Sequence, residues 1–126
     1  MKIQLQIPLE YGLLFLSDPY GDDEIPPDTA AAPVTYTETC VALQITPYVD
    51  GEADITLSNV KFPEARDPIF SGAILVPSKT ISLSDPNRFH YCMLPITETS
   101  CRVTAWDYED GNERKLWVTI SNVTLF

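Results

Sequence analysis

Apolar and polar residues alternate in runs of about five to eight along nearly the whole chain, and no stretch sustains a helical period. A strand places successive side chains on opposite faces, so each run describes a half-buried β-strand with one oily side. Ile3, Leu5, Ile7 and Leu9 alternate with Lys2, Gln4 and Gln6, and Tyr11, Leu13 and Phe15 continue the pattern after Glu10. Val41, Leu43 and Ile45 lead into Asp50-Gly51, and Ala53, Ile55 and Leu57 return against Asp54, Thr56 and Ser58. An Asp-Gly pair between two such runs predicts a hairpin, because both central residues of a type I′ turn need positive φ. A further run covers 69–76, followed by Ile81 and Leu83. Asp85-Pro86-Asn87 then sets proline where a type I turn accepts it, ahead of Phe89, Tyr91 and Met93. Val103 and Ala105 alternate with Arg102, Thr104 and Trp106, and Asp110-Gly111 turns the chain into Leu116, Val118 and Ile120.

About eight or nine short strands with frequent turns and eleven prolines predict an all-β antiparallel sandwich. A partly closed barrel is the alternative. The 126 residues suffice for one domain, 1–126, that buries roughly two thirds of its unfolded surface. The expected core is Leu5, Ile7, Phe15, Val41, Leu43, Ile55, Leu57, Phe89, Tyr91, Val103, Leu116, Val118 and Ile120.

Charge is distributed very unevenly. Between Ile3 and Val60 there are ten acids and no Lys or Arg, so the net charge of -10 resides in the first half. The densest part is Asp18, Asp22, Asp23, Glu24 and Asp28, among Pro19, Pro26, Pro27 and Pro33, which exclude regular structure. Residues 17–33 therefore read as one long exposed acidic loop, and loops of that length inside a domain are more often functional than merely connecting. Direct nucleic-acid binding is disfavoured, because phosphate neutralisation needs a basic footprint.

Catalytic constellations are sparse. Nucleophilic sites of the Ser/His or Cys/His kind need a base, and the single histidine, His90, reads as a solvent-facing or structural strand residue. No phosphate-binding glycine loop, dinucleotide fingerprint or nucleophile elbow is present, so the chain reads as non-enzymatic and without a cofactor. Cys40, Cys92 and Cys101 have no CxxC spacing, and the odd count fits free thiols in a reducing cytoplasm. A Cys92–Cys101 bridge is the alternative, should the two face each other across a hairpin. The opening MKIQLQIPLE is expected not to be a signal peptide, since Gln4, Gln6, Pro8 and Glu10 interrupt it.

Two acidic loops raise calcium as an alternative, with Asp18, Asp22, Asp107, Glu109 and Asp110 as ligands. The fragments SDPYGD at 17–22 and TAWDYED at 104–110 resemble the calcium loops of C2 domains, although the polybasic strand and the NPxWNE-like stretch of that family are absent. A second resemblance covers more of the chain. The succession YGLLFLSD (11–18), ADITL (53–57), IFSGAILVPSKTISL (69–83) and CRVTAWDYEDGNERKLWVTI (101–120) is similar to the small bacterial ComJ-like family of competence nuclease inhibitors. Its late strand, acidic loop and aliphatic-Trp strand are matched by 102–107 and Leu116-Trp117, while the acidic loop at 19–28 and Phe70, where relatives tend to carry Trp, depart from it. The resemblance implies a β-sandwich that binds and blocks a nuclease.

The electrostatics agree with such a role. An acidic surface steers toward basic patches, and nucleases carry basic rims because they bind polyanions. The expected partner is therefore a basic protein of nuclease or toxin type, with neither nucleic acid nor membrane contacted directly. The contact residues read from the sequence are the carboxylates Asp18, Asp22, Asp23, Glu24, Asp28, Asp107, Glu109 and Asp110, with Tyr20, Trp106, Tyr108 and Trp117 as aromatic anchors. A module whose charge serves only solubility and edge protection is the competing reading.

Overall fold

A computed structural model of the protein describes residues 2–8, 12–21, 25–45, 52–111 and 113–124, with the side chains of Pro8, Glu52 and Glu113 excepted. Among these residues ten strands follow one another: β1 (Lys2–Pro8), β2 (Leu13–Ser17), β3 (Val34–Tyr36), β4 (Cys40–Gln44), β5 (Glu52–Ser58), β6 (Phe70–Leu75), β7 (Thr80–Ser84), β8 (His90–Pro95), β9 (Ser100–Asp110) and β10 (Glu113–Ile120). They form two five-stranded sheets, ordered β1-β5-β10-β9-β6 and β3-β4-β2-β7-β8. The fold is an all-β sandwich and not a closed barrel. The described residues contain no helix long and apolar enough to cross a membrane.

The alternation in sequence becomes the two inner faces. Ile7, Ile55, Leu57, Val103, Leu116, Val118 and Ile120 from the first sheet meet Leu14, Leu16, Val41, Leu43, Ile81, Leu83 and Leu94 from the second in one buried cluster. Each such side chain contributes about 1.5–3 kcal/mol by leaving water. A slip of one residue would turn a whole strand's apolar set outward, so this burial also fixes the register. Thus Leu116 lies beside Ile55, and Val118 beside Leu57.

Several expectations are corrected. The tenth strand, β3, lies directly after Pro33 and spans three residues, too few for a period to show. One strand pair, β5 with β10, is parallel. The hairpin predicted around Asp50-Gly51 does not form, because β4 and β5 belong to different sheets; β5 pairs instead with β1 and β10. Asp50 and Gly51 themselves lie outside the described residues, as do Leu9 and Tyr11. In β2 the inner residues are Leu14 and Leu16, whereas Phe15 packs with Cys40 and Ala42 in a second cluster on the outer face. In β8 a register shift between Leu83 and Ser84 changes the parity, so Cys92 opposes Leu83 and Leu94 opposes Ile81. Met93, past the shift, therefore faces out, while Phe89, ahead of the strand, is 61% exposed and packs edge-on against Tyr91.

Two hairpin predictions hold. Asp85 O accepts the Arg88 N–H at 2.9 Å with Pro86 inside the turn, and Asp85 Oδ1 takes the Phe89 N–H at 3.0 Å. Between β9 and β10, Asp110 pairs with Glu113 across a short turn, where Gly111 adopts φ 68°. Cys92 and Cys101 lie in opposite sheets, and neither they nor Cys40 is joined in a disulfide. Burial pushes the Cys101 thiol up to about 11 and raises Cys92 as well.

Candidate interaction faces

The longest hairpin, β9 with β10, carries half of the contact residues read from the sequence. Its register aligns outward side chains into rows across the first sheet. One row runs Gln6, Asp54, Lys115, Tyr108, and the next runs Gln4, Thr56, Trp117, Trp106. The first row is an open polar groove in which Lys115 Nζ stands 3.7 Å from Asp54 Oδ2 and 3.4 Å from Asp110 Oδ2. Desolvation lowers the Lys115 pKa, but the hydrogen bond and charge of Asp110, with Asp54, outweigh it and raise the value.

The second row is covered. The connection from β5 to β6 drops Phe62 onto the sheet, where its ring lies 4.9 Å from Tyr108, 5.8 Å from Trp117 and 6.3 Å from Trp106. Trp106 Nε1 donates to Arg66 O at 3.1 Å, and Trp117 Nε1 donates to Val60 O at 2.9 Å. These two indoles bind the 59–69 connection to the sheet. Trp106 is 3% exposed, which corrects its expected role as a surface anchor. Trp117 and Tyr108 remain half-buried, and Lys2 Nζ sits 5.9 Å above the Trp117 ring. Nothing local in the sequence reveals this cover, because Phe62 reaches rings more than 40 residues away.

At the hairpin end, Asp107 meets Arg114 at 2.8 Å and its carbonyl accepts from Arg66 Nη1 at 2.6 Å. Glu109 and Asp110 project into solvent. The pair of Asp110 with Lys115 is of the exposed kind that stabilises a fold by only about 0–1 kcal/mol, so its carboxylate stays available to a stronger cation.

Asp18 behaves quite differently from the exposed loop carboxylate expected. It is 2% exposed. Its Oδ1 accepts from Tyr20 N at 2.8 Å and Ser78 Oγ at 2.7 Å, and its Oδ2 accepts from Ser78 N at 2.7 Å. Burial acts to raise its pKa, but the Ser78 backbone and hydroxyl and the Tyr20 N–H together hold the carboxyl below its ordinary value. Asp18 is therefore a clamp that ties the loop after β2 to the turn before β7. The loop itself is partly a cover: Pro19 and Ile25 join Phe15, Cys40 and His90 around a small cavity on the outer face of the second sheet, and Pro26 is buried. Of the remaining loop residues, Tyr20 is 73% exposed and Asp28 is exposed, whereas Asp22, Asp23 and Glu24 lie outside the described residues.

The two acidic groups do not converge. Asp18 is bound to Ser78, three residues past Leu75, and Leu75 pairs with Ser100 at the start of β9. Asp107 lies seven residues further along that strand, roughly 23 Å at strand rise. One cation with ligands at about 2.6 Å cannot be shared by Asp18 and Asp107, Glu109 or Asp110, which corrects that joint calcium set. Among the described residues, no group of three or more His, Cys, Asp or Glu is arranged to hold a metal ion. His90 is exposed, and its Nδ1 lies 3.0 Å from the Oγ of the buried Ser82.

No family model matches this chain, and no curated relative matches it. Among solved structures, the chain is similar to ComJ from Bacillus subtilis, described as an inhibitor of the DNA degrading activity of NucA, with a TM-score of 0.70 at 9% identity over 96% of each chain. It is also similar to a protein described as crocagin biosynthetic gene J, with a TM-score of 0.58 at 13% identity over 95% of this chain and 96% of that one. At such identities the likeness concerns architecture: this chain has the two-sheet, all-β fold seen in ComJ, over nearly its full length.

Proposed function

We propose that this protein is a non-enzymatic binding module that occupies the basic surface of a nuclease- or toxin-type partner. The observation that carries the reading is charge: a net -10, with ten acids and no Lys or Arg between Ile3 and Val60. Glu109, Asp110 and Asp28 extend exposed carboxylates from the scaffold, with Tyr20 and Tyr108 available beside them as amphipathic contacts. A partner that grips DNA must present cations in its cleft, and a rigid sandwich with fixed carboxylates can take the place of phosphates there. Long-range attraction then accelerates encounter, by 10- to 1,000-fold for strongly steered pairs at low salt. The fold shared with ComJ supports the nuclease class, since ComJ is described as inhibiting one. Three cysteines outside any disulfide fit action in a reducing compartment, the cytoplasm.

The test is DNA degradation by purified NucA or a comparable basic nuclease, followed with increasing amounts of this protein at low and at high salt. Inhibition that weakens as salt rises is expected. Unchanged degradation at every ionic strength, across several basic nucleases, refutes the nuclease reading.

A further inference from the structure

β6 is an edge strand of the first sheet, bonded on one side to β9 and open on the other. The Leu75 N–H points away from β9 and donates to Glu38 O at 2.7 Å. Successive residues of an antiparallel strand direct their backbone groups to alternate sides, so Ser71 and Ala73 also turn their N–H and C=O outward. Among the described residues, no acceptor takes either N–H. At the other end Ile69 N–H is turned to Ala105 O at 2.8 Å, which confines the open stretch to Ser71–Ala73.

The remaining edges are blunted. β1 carries Lys2 and Pro8, β8 has its register shift and Pro95, and β3 is three residues long behind Pro33. The open part of β6 has no charge, no proline and a glycine at its centre. Its surroundings are apolar, with Tyr36 63%, Leu75 49% and Ile69 37% exposed, and the Tyr36 ring 5.2 Å from Phe70. That ring pair closes the side of the sandwich where a neighbouring strand would set its inward side chains. Exposed acids flank the stretch: Asp67 precedes it, Glu38 supplies the carbonyl bonded to Leu75, and Glu98 lies in the bend whose Thr99 O accepts from Val76 N. Cations stand in the same segments: Arg102 Nη1 reaches Ser71 Oγ at 3.4 Å, Arg66 beside Asp67 is turned to Asp107 O, and Lys79 follows, its N–H bonded to Val76 O.

We propose that the exposed edge of β6 is a strand-addition site, where an extended segment of a basic partner protein, apolar at alternate positions and flanked by Lys or Arg, pairs as a sixth strand. The basic character of that partner rests on the function proposed above; the open backbone does not. Main-chain bonds to Ser71 and Ala73 supply the pairing, the Tyr36–Phe70 ring pair selects an apolar residue, and Asp67, Glu38 and Glu98 favour cationic ends.

The probe is a synthetic peptide, acetyl-KKVTVTVKK-amide, titrated into the full chain while backbone amides are followed by NMR. Expected are shifts and slowed exchange at the Ser71 and Ala73 amides, a weaker response to the glutamate-ended peptide, and none to a peptide N-methylated on its pairing edge. Ala73→Pro removes one outward N–H without touching the β9 ladder and should weaken binding roughly tenfold. The N-methylated control keeps the question decidable if that variant misfolds. Shifts confined to β1 or β8, or indifference to N-methylation, overturn the proposal. Concentration-dependent protection of the same amides without peptide assigns the edge to a second copy of this chain, and also overturns it. If a basic nuclease binds the wild type and Ala73→Pro equally, the β6 site fails while the charge-based function stands.

Discussion

Replacing Asp18 with alanine removes three acceptor contacts at once from a carboxylate that is 2% exposed. Hydrogen bonds to a charged group contribute about 1.5–3 kcal/mol each, but the three share one side chain and do not add fully. The Ser78 donors, freed by the change, regain some water at the rim of the site. A loss of about 3 kcal/mol is expected for Asp18→Ala, which for a domain of this size lowers Tm by roughly 10 °C. Asp18→Asn retains one acceptor oxygen but points an amide at a donor, and should cost about 1–2 kcal/mol. The pH dependence adds a second reading of the same contact. Because the folded pKa is lowered, the stabilisation is complete above the unfolded carboxylate value of about 3.9 and disappears as pH falls through the folded value. Urea or thermal unfolding at neutral pH and again in the acid range should show wild type and Asp18→Asn converging only at low pH. A neutral-pH difference below about 0.5 kcal/mol, or a gap that widens in acid, would refute the clamp.

Three further outcomes follow from the packing and the charge. Phe62→Ala strips the cover from Trp106 and Trp117 and should destabilise by about 3 kcal/mol with a red shift of tryptophan emission; unchanged emission would mean the 59–69 connection is held by other contacts. Denatured, unreduced protein purified with its thiols protected should titrate three equivalents of thiol reagent, and in the native state Cys101 should react slowest of Cys92 and Cys101, since burial lifts it to about 11; a single reactive thiol would contradict the free assignment. Neutralising Glu109 and Asp110 to Gln and Asn should leave stability within about 0.5 kcal/mol and slow association with a basic partner, an effect read by surface-coupled binding kinetics; unchanged association would remove the hairpin end from the contact surface.

The inner faces were legible because they depend on nearest-neighbour alternation: Ile7, Val41, Leu43, Ile55, Leu57, Val103, Leu116, Val118 and Ile120 are all buried. What failed depends on contacts distant in sequence. β2 shows the wrong parity because the loop after it covers its outer face, so both faces of Leu14–Leu16 are apolar and alternation vanishes. The parallel pairing of β5 with β10 carries no local signature, and an Asp-Gly pair between two alternating runs does not determine whether those runs join the same sheet. Asp18 and Trp106 looked like surface groups for a related reason, since their partners lie 60 and 40 residues away. The sequence Ser17-Asp18-Pro19-Tyr20 did hold a usable signal: an aspartate ahead of proline favours an Asx turn, here Tyr20 N to Asp18 Oδ1. The open β6 edge is invisible in sequence, because being an edge is a property of sheet order.

The central claim, that fixed carboxylates dock this sandwich on a basic partner, is tested most directly by the association rate with purified NucA or a similar basic nuclease as a function of ionic strength. The account predicts a rate that falls steeply from low salt to about 0.15 M as the Debye length shrinks toward 8 Å, with a dissociation rate that changes little. A rate independent of salt, or no association at any ionic strength, would contradict it.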